Sequence, residues 1–151
     1  MTYIQGSKIQ AGRTLRFKST LRSEQRLEGQ QIVQQRILAE RTELTSGKNP
    51  PNLLFNLPTS VAAGQPYQLD AIVREPLGDR FLLGGATESA ITPATYLKPE
   101  RLNLELLPAG GLFKTGQAPT TPGQRWISAI VVRDDGLTQI TQRLQVTGRN
   151  P

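Results

Sequence analysis

The stretch that decides the fold is Trp126-Ile-Ser-Ala-Ile-Val-Val-Arg-Asp-Asp-Gly-Leu-Thr-Gln-Ile-Thr-Gln-Arg-Leu-Gln-Val146. Two runs rich in β-branched residues, 126–132 and 137–146, flank Arg133-Asp134-Asp135-Gly136. Asp-Gly between two such runs predicts a tight β-hairpin, because the turn needs residues that tolerate positive φ. In the first run Ile127, Ala129 and Val131 alternate with Ile130 and Val132, so both faces are apolar. That composition predicts a central strand covered on each side. One cover is a sandwich core, and the other is the N-terminal segment or a second subunit. Trp126 is accordingly expected to be core or partly buried, not an exposed stacking platform.

Upstream, short strand-like runs alternate with turn clusters. Leu53 to Leu57 is a short apolar strand ended by Pro58, and Ala63-Gly64-Gln65-Pro66 is a turn. Tyr67, Leu69, Ala71 and Val73 then follow with a period of two, the spacing of a half-buried strand. Pro76-Leu77-Gly78-Asp79 turns again into Phe81 to Ala86, and Leu102, Leu104 and Leu106 alternate once more. Residues 108–123 read as a long loop with one short edge strand. Short strands at this spacing, without intervening helices, predict an all-β sandwich or barrel.

Pro119 to Val146, with its Pro122-Gly123 turn leading into Trp126 and the Asp135-Gly136 hairpin, resembles the last two strands of bacterial immunoglobulin-like and fibronectin-type sandwiches. The similarity spans residues 53–147. It implies a mainly β chain built on an immunoglobulin-like antiparallel β-sandwich, and it implies no activity. The cysteine pair of antibody domains is absent, and Trp126 is not in the position of their core tryptophan.

The first third reads differently. Thr45 to Asn52 contains Gly47 and Pro50-Pro51, which stop regular structure, so the chain divides there into an arm (1–50) and a sandwich domain (51–151). In the arm, Leu15, Phe17, Ser19 and Leu21 alternate with Arg16, Lys18 and Thr20, a strand with a cationic outer face. Residues 23–44 are rich in Glu, Gln, Arg, Leu and Ala, with Ser23 as an N-cap and Val33, Ile37 and Leu44 on one stripe. They predict a helix, making the arm partly helical. A long β-ribbon is the rival, since Val33, Gln35, Ile37 and Ala39 also alternate, and Gly29 interrupts the helical pattern.

Charge sorts the same way. Residues 1–50 hold nine basic and four acidic side chains, and the remainder nine and eight, so most of the net +6 belongs to the arm. The chain has no His and no Cys. It therefore lacks the usual general base, thiol nucleophile and transition-metal ligands, and it admits no disulfide and no classical serine triad. Glu75 with Asp79, and Asp134 with Asp135, are the carboxylate pairs, and turn chemistry accounts for both. Leu83-Gly84-Gly85-Ala86-Thr87 lacks the ending of a phosphate loop and reads as a close backbone approach.

The expectation is a non-catalytic protein-interaction or assembly module, with no cofactor and no metal site. Its candidate partner-binding residues are Arg13, Arg16, Phe17, Lys18, Arg22, Arg26, Arg36 and Arg41. The partner is another protein or a second copy, and nucleic acid or another polyanion is the alternative. No run approaches the ~18 apolar residues of a membrane span. The sequence is compatible with the cytosol, or with export if a targeting segment precedes Met1.

Overall fold

The computed structural model describes residues 1–10, 12–76, 78, 80–92 and 103–148. Among them there is no helix, and eleven strands form two antiparallel-dominated sheets. The strands are β1 (Thr2–Gln10), β2 (Arg13–Glu28), β3 (Gln31–Gly47), β4 (Leu53–Asn56), β5 (Ser60–Ala62) and β6 (Pro66–Val73). There follow β7 (Leu83–Ala90), β8 (Glu105–Leu106), β9 (Gly111–Gln117), β10 (Gly123–Arg133) and β11 (Gly136–Thr147).

The larger sheet runs β1-β2-β3-β11-β10-β7-β8, with β5 added parallel to β11, and the smaller runs β4-β6-β9. The core lies between them. Tyr67, Leu69, Ala71 and Val73 from β6 meet Ile127, Ala129 and Val131 from β10 and Ile140, Leu144 and Val146 from β11, all buried. The predicted hairpin is in register from Gly123 opposite Val146 to Arg133 opposite Gly136. Residues 111–117, within the predicted long loop, form the edge strand of the smaller sheet.

The adjacent glycines of β7 are needed for space. A Cβ on Gly84 would sit 2.6 Å from Leu107 and 2.8 Å from the Ile130 carbonyl, and one on Gly85 would strike the Asn103 carbonyl. This is the close approach expected of the pair. Leu102 and Asp79 lie outside the described residues.

The predicted helix over 23–44 is corrected. Residues 22–40 are a two-stranded antiparallel ribbon, the rival reading, turned at Gly29 with φ of 64°. The reason is visible in β2, where the period of two continues beyond Leu21 through Ser23, Gln25 and Leu27. Good helix formers lose here because β3 gains a partner on each side near its end: β2, and β11 over Arg41–Gly47. Two bulges, between Arg22 and Ser23 and between Arg26 and Leu27, place the extra residues Leu38 and Val33 on β3. The stripe that suggested a helix is thus partly a bulge signature. Nor does the arm fold back over the second face of β10, one of the two covers expected there. It extends the sheet sideways.

Candidate interaction surface

Strand alternation gives β2 two chemically different sides. Its even positions are Thr14, Arg16, Lys18, Thr20, Arg22, Glu24, Arg26 and Glu28. Its odd positions beyond Arg13 are Leu15, Phe17, Ser19, Leu21, Ser23, Gln25 and Leu27, with no charge among them. Register assigns the sides. Lys18 lies opposite Glu43 and Glu43 opposite Ile140, which faces the core, so the charged side is the inner one. Phe17, Leu44, Gln139 and Ile130 line up across four strands on the outer side.

Antiparallel sheets that cover a core ordinarily turn polar side chains outward. Here, beyond Arg13 at the start of β2, the outer side of β2, β3, β11 and β10 carries a single charged pair. Arg143 donates to Glu40 at 2.8 Å and lies 4.8 Å above the Trp126 ring, which is half-buried. Beside it runs a row of hydroxyls, with Ser19 bonded to Thr42 at 3.1 Å and Ser128 to Thr141 at 2.9 Å.

Beyond the sandwich the ribbon stands alone. β1 pairs with residues 13–21 of β2, and β11 with residues 41–47 of β3, which leaves 22–28 and 31–40 paired only with each other. At ~3.4 Å per residue this is a projection ~25 Å long. Leu27 and Ile32 face each other across it at 60% and 56% exposure. Its three arginines balance three glutamates, with Arg26 2.8 Å from Glu28 and Arg36 4.0 Å from Glu24.

The eight predicted residues separate accordingly. Arg16, Lys18 and Arg22 share one side of β2 as expected, but it is the inner side and not the outer face predicted for them, while Phe17 faces the other way and does not interleave with them. Arg26 and Arg36 sit in exposed ion pairs on the ribbon. Arg41 is engaged internally: it donates to Gln142 Oε1 at 3.0 and 2.7 Å and to the Phe55 carbonyl at 3.4 Å, 5.0 Å over the Phe55 ring. Desolvation lowers its pKa, and Glu43 opposes that shift. Among the described residues no carboxylate pairs with Arg13, Arg16, Lys18 or Arg22.

The aromatic that does accompany Arg16 and Lys18 is Tyr3, which the sequence reading missed. β1 places Tyr3, Gln5, Ser7 and Ile9 opposite Thr20, Lys18, Arg16 and Thr14. Residues 1–21 hold Lys8, Arg13, Arg16 and Lys18 and no acid, so most of the excess positive charge of the arm lies in the β1–β2 hairpin.

The carboxylate pairs are structural where they are described. Glu75 accepts the Asn52 backbone N–H at 3.2 Å. Asp135 accepts from Arg133 at 2.9 Å, Arg80 at 3.0 Å and Asn49 at 3.2 Å. Desolvation works to raise the Asp135 pKa, but those hydrogen bonds and the charges of Arg133 and Arg80 hold it below the usual carboxylate range.

A second polar cluster, also missed, bridges the two sheets. Tyr67 Oη donates to Glu88 at 2.6 Å, and Glu88 is ion-paired with Arg125, beside a cleft of about 310 Å³. Burial and Glu88 push the tyrosine pKa well up, with Arg125 opposing, so its proton stays on as a cross-sheet tie. Among the described residues no group of three or more metal-ligating side chains converges, and no helix is long and apolar enough to cross a membrane.

Residues 48–147 match a family described as a domain of unknown function, DUF8623. The chain belongs to this family. The DUF8623 match begins one residue past the end of β3, so it covers the sandwich, and the three strands β1–β3 precede it. No curated protein matches the chain.

Proposed function

We propose that this chain is a non-catalytic protein-interaction or assembly module, and that its docking element is the β2–β3 ribbon. The observation that carries the reading is the uncharged side of β2 from Leu15 to Leu27, which runs off the sandwich onto a projection whose Leu27 and Ile32 remain exposed. A two-stranded hairpin is marginal in water by itself, and apolar residues on it gain most when a partner covers them. The missing His and Cys agree with a role that rests on surface rather than chemistry.

Within this reading the sandwich is of the immunoglobulin or fibronectin type. Its support is the strand order. The sheet β4-β6-β9 faces the run β11-β10-β7-β8, the arrangement of strands A, B and E against G, F and C in those folds. In this assignment β11 is the last strand, and β3 lies along what would have been its free edge.

Polyanion binding is the alternative, favoured by the acid-free β1–β2 hairpin with Arg16 and Lys18 beside Tyr3. Capture from cell lysate at low and high salt separates the two, with the full chain beside a Leu27→Asp/Ile32→Asp variant. Protein partners that survive high salt and are lost with the double substitution are the expected result. Nucleic acid that is retained by the variant and washes off with salt would replace the reading with its alternative.

A further inference from the structure

β1 is an edge strand with few of the features that keep edges apart. It runs nine residues in uninterrupted register with β2, has no proline and no bulge, and carries one charged side chain, Lys8. Every residue in it is exposed. The opposite edge of the same sheet is managed differently: β8 has two residues, and its Glu105 is ion-paired with Lys114 at 2.7 Å. Natural sheets blunt their edges by short strands, charges, prolines or bulges, and a long edge without them is a template for another strand.

The sequence of β1 specifies which strand fits. Thr2-Tyr-Ile-Gln-Gly-Ser-Lys-Ile-Gln10 is nearly symmetric in polarity about Gly6. In an antiparallel pairing with a second copy, centred on Gly6, Thr2 meets Gln10 and Gln5 meets Ser7. Tyr3 meets Ile9, both on the inner side, and these are the most exposed apolar side chains of the strand, at 72% and 76%. Aromatic and β-branched side chains are favourable cross-strand partners. Lys8 meets Ile4 of the second copy, so the two lysines stay about four residues, or ~13 Å, apart, beyond the Debye length of ~8 Å at physiological salt. The two glycines meet on the two-fold axis, and a Cβ added at Gly6 has no atom within 4 Å in the single chain.

We infer that β1 pairs with β1 of a second copy across a two-fold axis at Gly6, joining two eight-stranded sheets into one continuous sheet. This rests on the reading of the chain as an assembly module and names a partner for it. Nine residues give roughly nine main-chain hydrogen bonds, close to the ~10 of a specific interface. The buried area is that of one strand edge, at the small end for specific complexes, so the dimer dissociates on dilution. Each copy carries a net +6, and the acid-free hairpins are brought near one another, so salt screens their repulsion and strengthens the pairing. Polyanion binding has the opposite salt dependence.

The test uses the absence of cysteine. Gly6→Cys places one thiol on each side of the axis, and mild oxidation is expected to link most of the chain as a dimer. Thr2→Cys, whose thiols would lie eight residues apart, is the control and should link at least tenfold more slowly. Thr2→Cys/Gln10→Cys should regain the rate if the register is right. Sedimentation of the unmodified chain is expected to show a monomer–dimer equilibrium that shifts toward dimer with added salt. A chain that stays monomeric at every concentration, or cross-linking as fast at residue 2 alone as at residue 6, would overturn the inference. The Leu27→Asp/Ile32→Asp variant should link at Gly6→Cys unchanged, so failure of the ribbon as a docking element and failure of the β1 pairing are read separately.

Discussion

The sandwich and the ribbon are made of the same secondary structure and held by different forces. Among the described residues every side chain of the hydrophobic core lies between Phe55 and Val146, and the first 50 residues contribute none. Their buried side chains include Ser19 and Ser46, enclosed by taller neighbours rather than by a core. The sandwich is therefore stabilised mainly by apolar burial. The ribbon depends on ladder hydrogen bonds and on its attachment through β3 to β11. A strand need not own a core to be ordered if it is bonded into a sheet that does.

The widest gap between the two regions should appear in paired truncations. Leu144 is fully buried on β11, and Leu144→Ala is expected to destabilise the fold by ~2–5 kcal/mol through lost burial and the cavity left behind. Leu27→Ala on the ribbon should stay within ~0.5 kcal/mol. Urea denaturation of both variants checks this, and equal losses would show that the ribbon shares a core with the sandwich.

The junction comes next. The Gln142 side chain accepts from Arg41 on β3 and donates to the Leu57 and Pro58 carbonyls at 3.2 Å, tying three segments together. Gln142→Leu keeps the size but orphans those groups, at an expected cost of ~1–3 kcal/mol. Hydrogen exchange should quicken over 41–47 in particular, and an effect spread evenly over the chain would refute that role.

The smallest effect is electrostatic and confined to the sandwich. The folded Asp135 pKa is below its ordinary 3.8, so its contribution to stability is fully present above that value and fades as pH falls through the lowered one. The stability difference between the unmodified chain and Asp135→Asn should shrink on acidification below about pH 4. A difference that is constant with pH would remove Asp135 from the account.

How much of this was legible in the sequence follows from where the signals are local. Asp135-Gly136 between β-branched runs marked β10 and β11, and the period-two series Tyr67 to Val73 marked a core strand. Both depend on neighbours a few residues away. Residues 23–44 misled because helix propensity is also local, whereas the pairing that overrides it joins residues up to about a hundred positions apart, such as Arg41 with Gln142. The bulges at Val33 and Leu38 then broke the alternation that would have revealed a strand.

The candidate surface was half legible. The cationic series of β2 can be read directly, but not that Tyr3 would join it from β1 or that Arg41 would be drawn inward onto Phe55 and Gln142. The Tyr67–Glu88–Arg125 tie left no sequence signal, because its members come from strands in different sheets.

The way β3 is built in has a mechanical consequence. It runs unbroken from the ribbon tip into a seven-residue ladder with β11, to which it lies antiparallel. A pull on the tip along the strand axis loads that ladder in shear, so its hydrogen bonds resist together instead of peeling off one at a time. The Arg41–Gln142 bonds and the Arg143–Glu40 pair cross the same seam and add to its grip. The ribbon is a handle whose shaft continues into the body it moves.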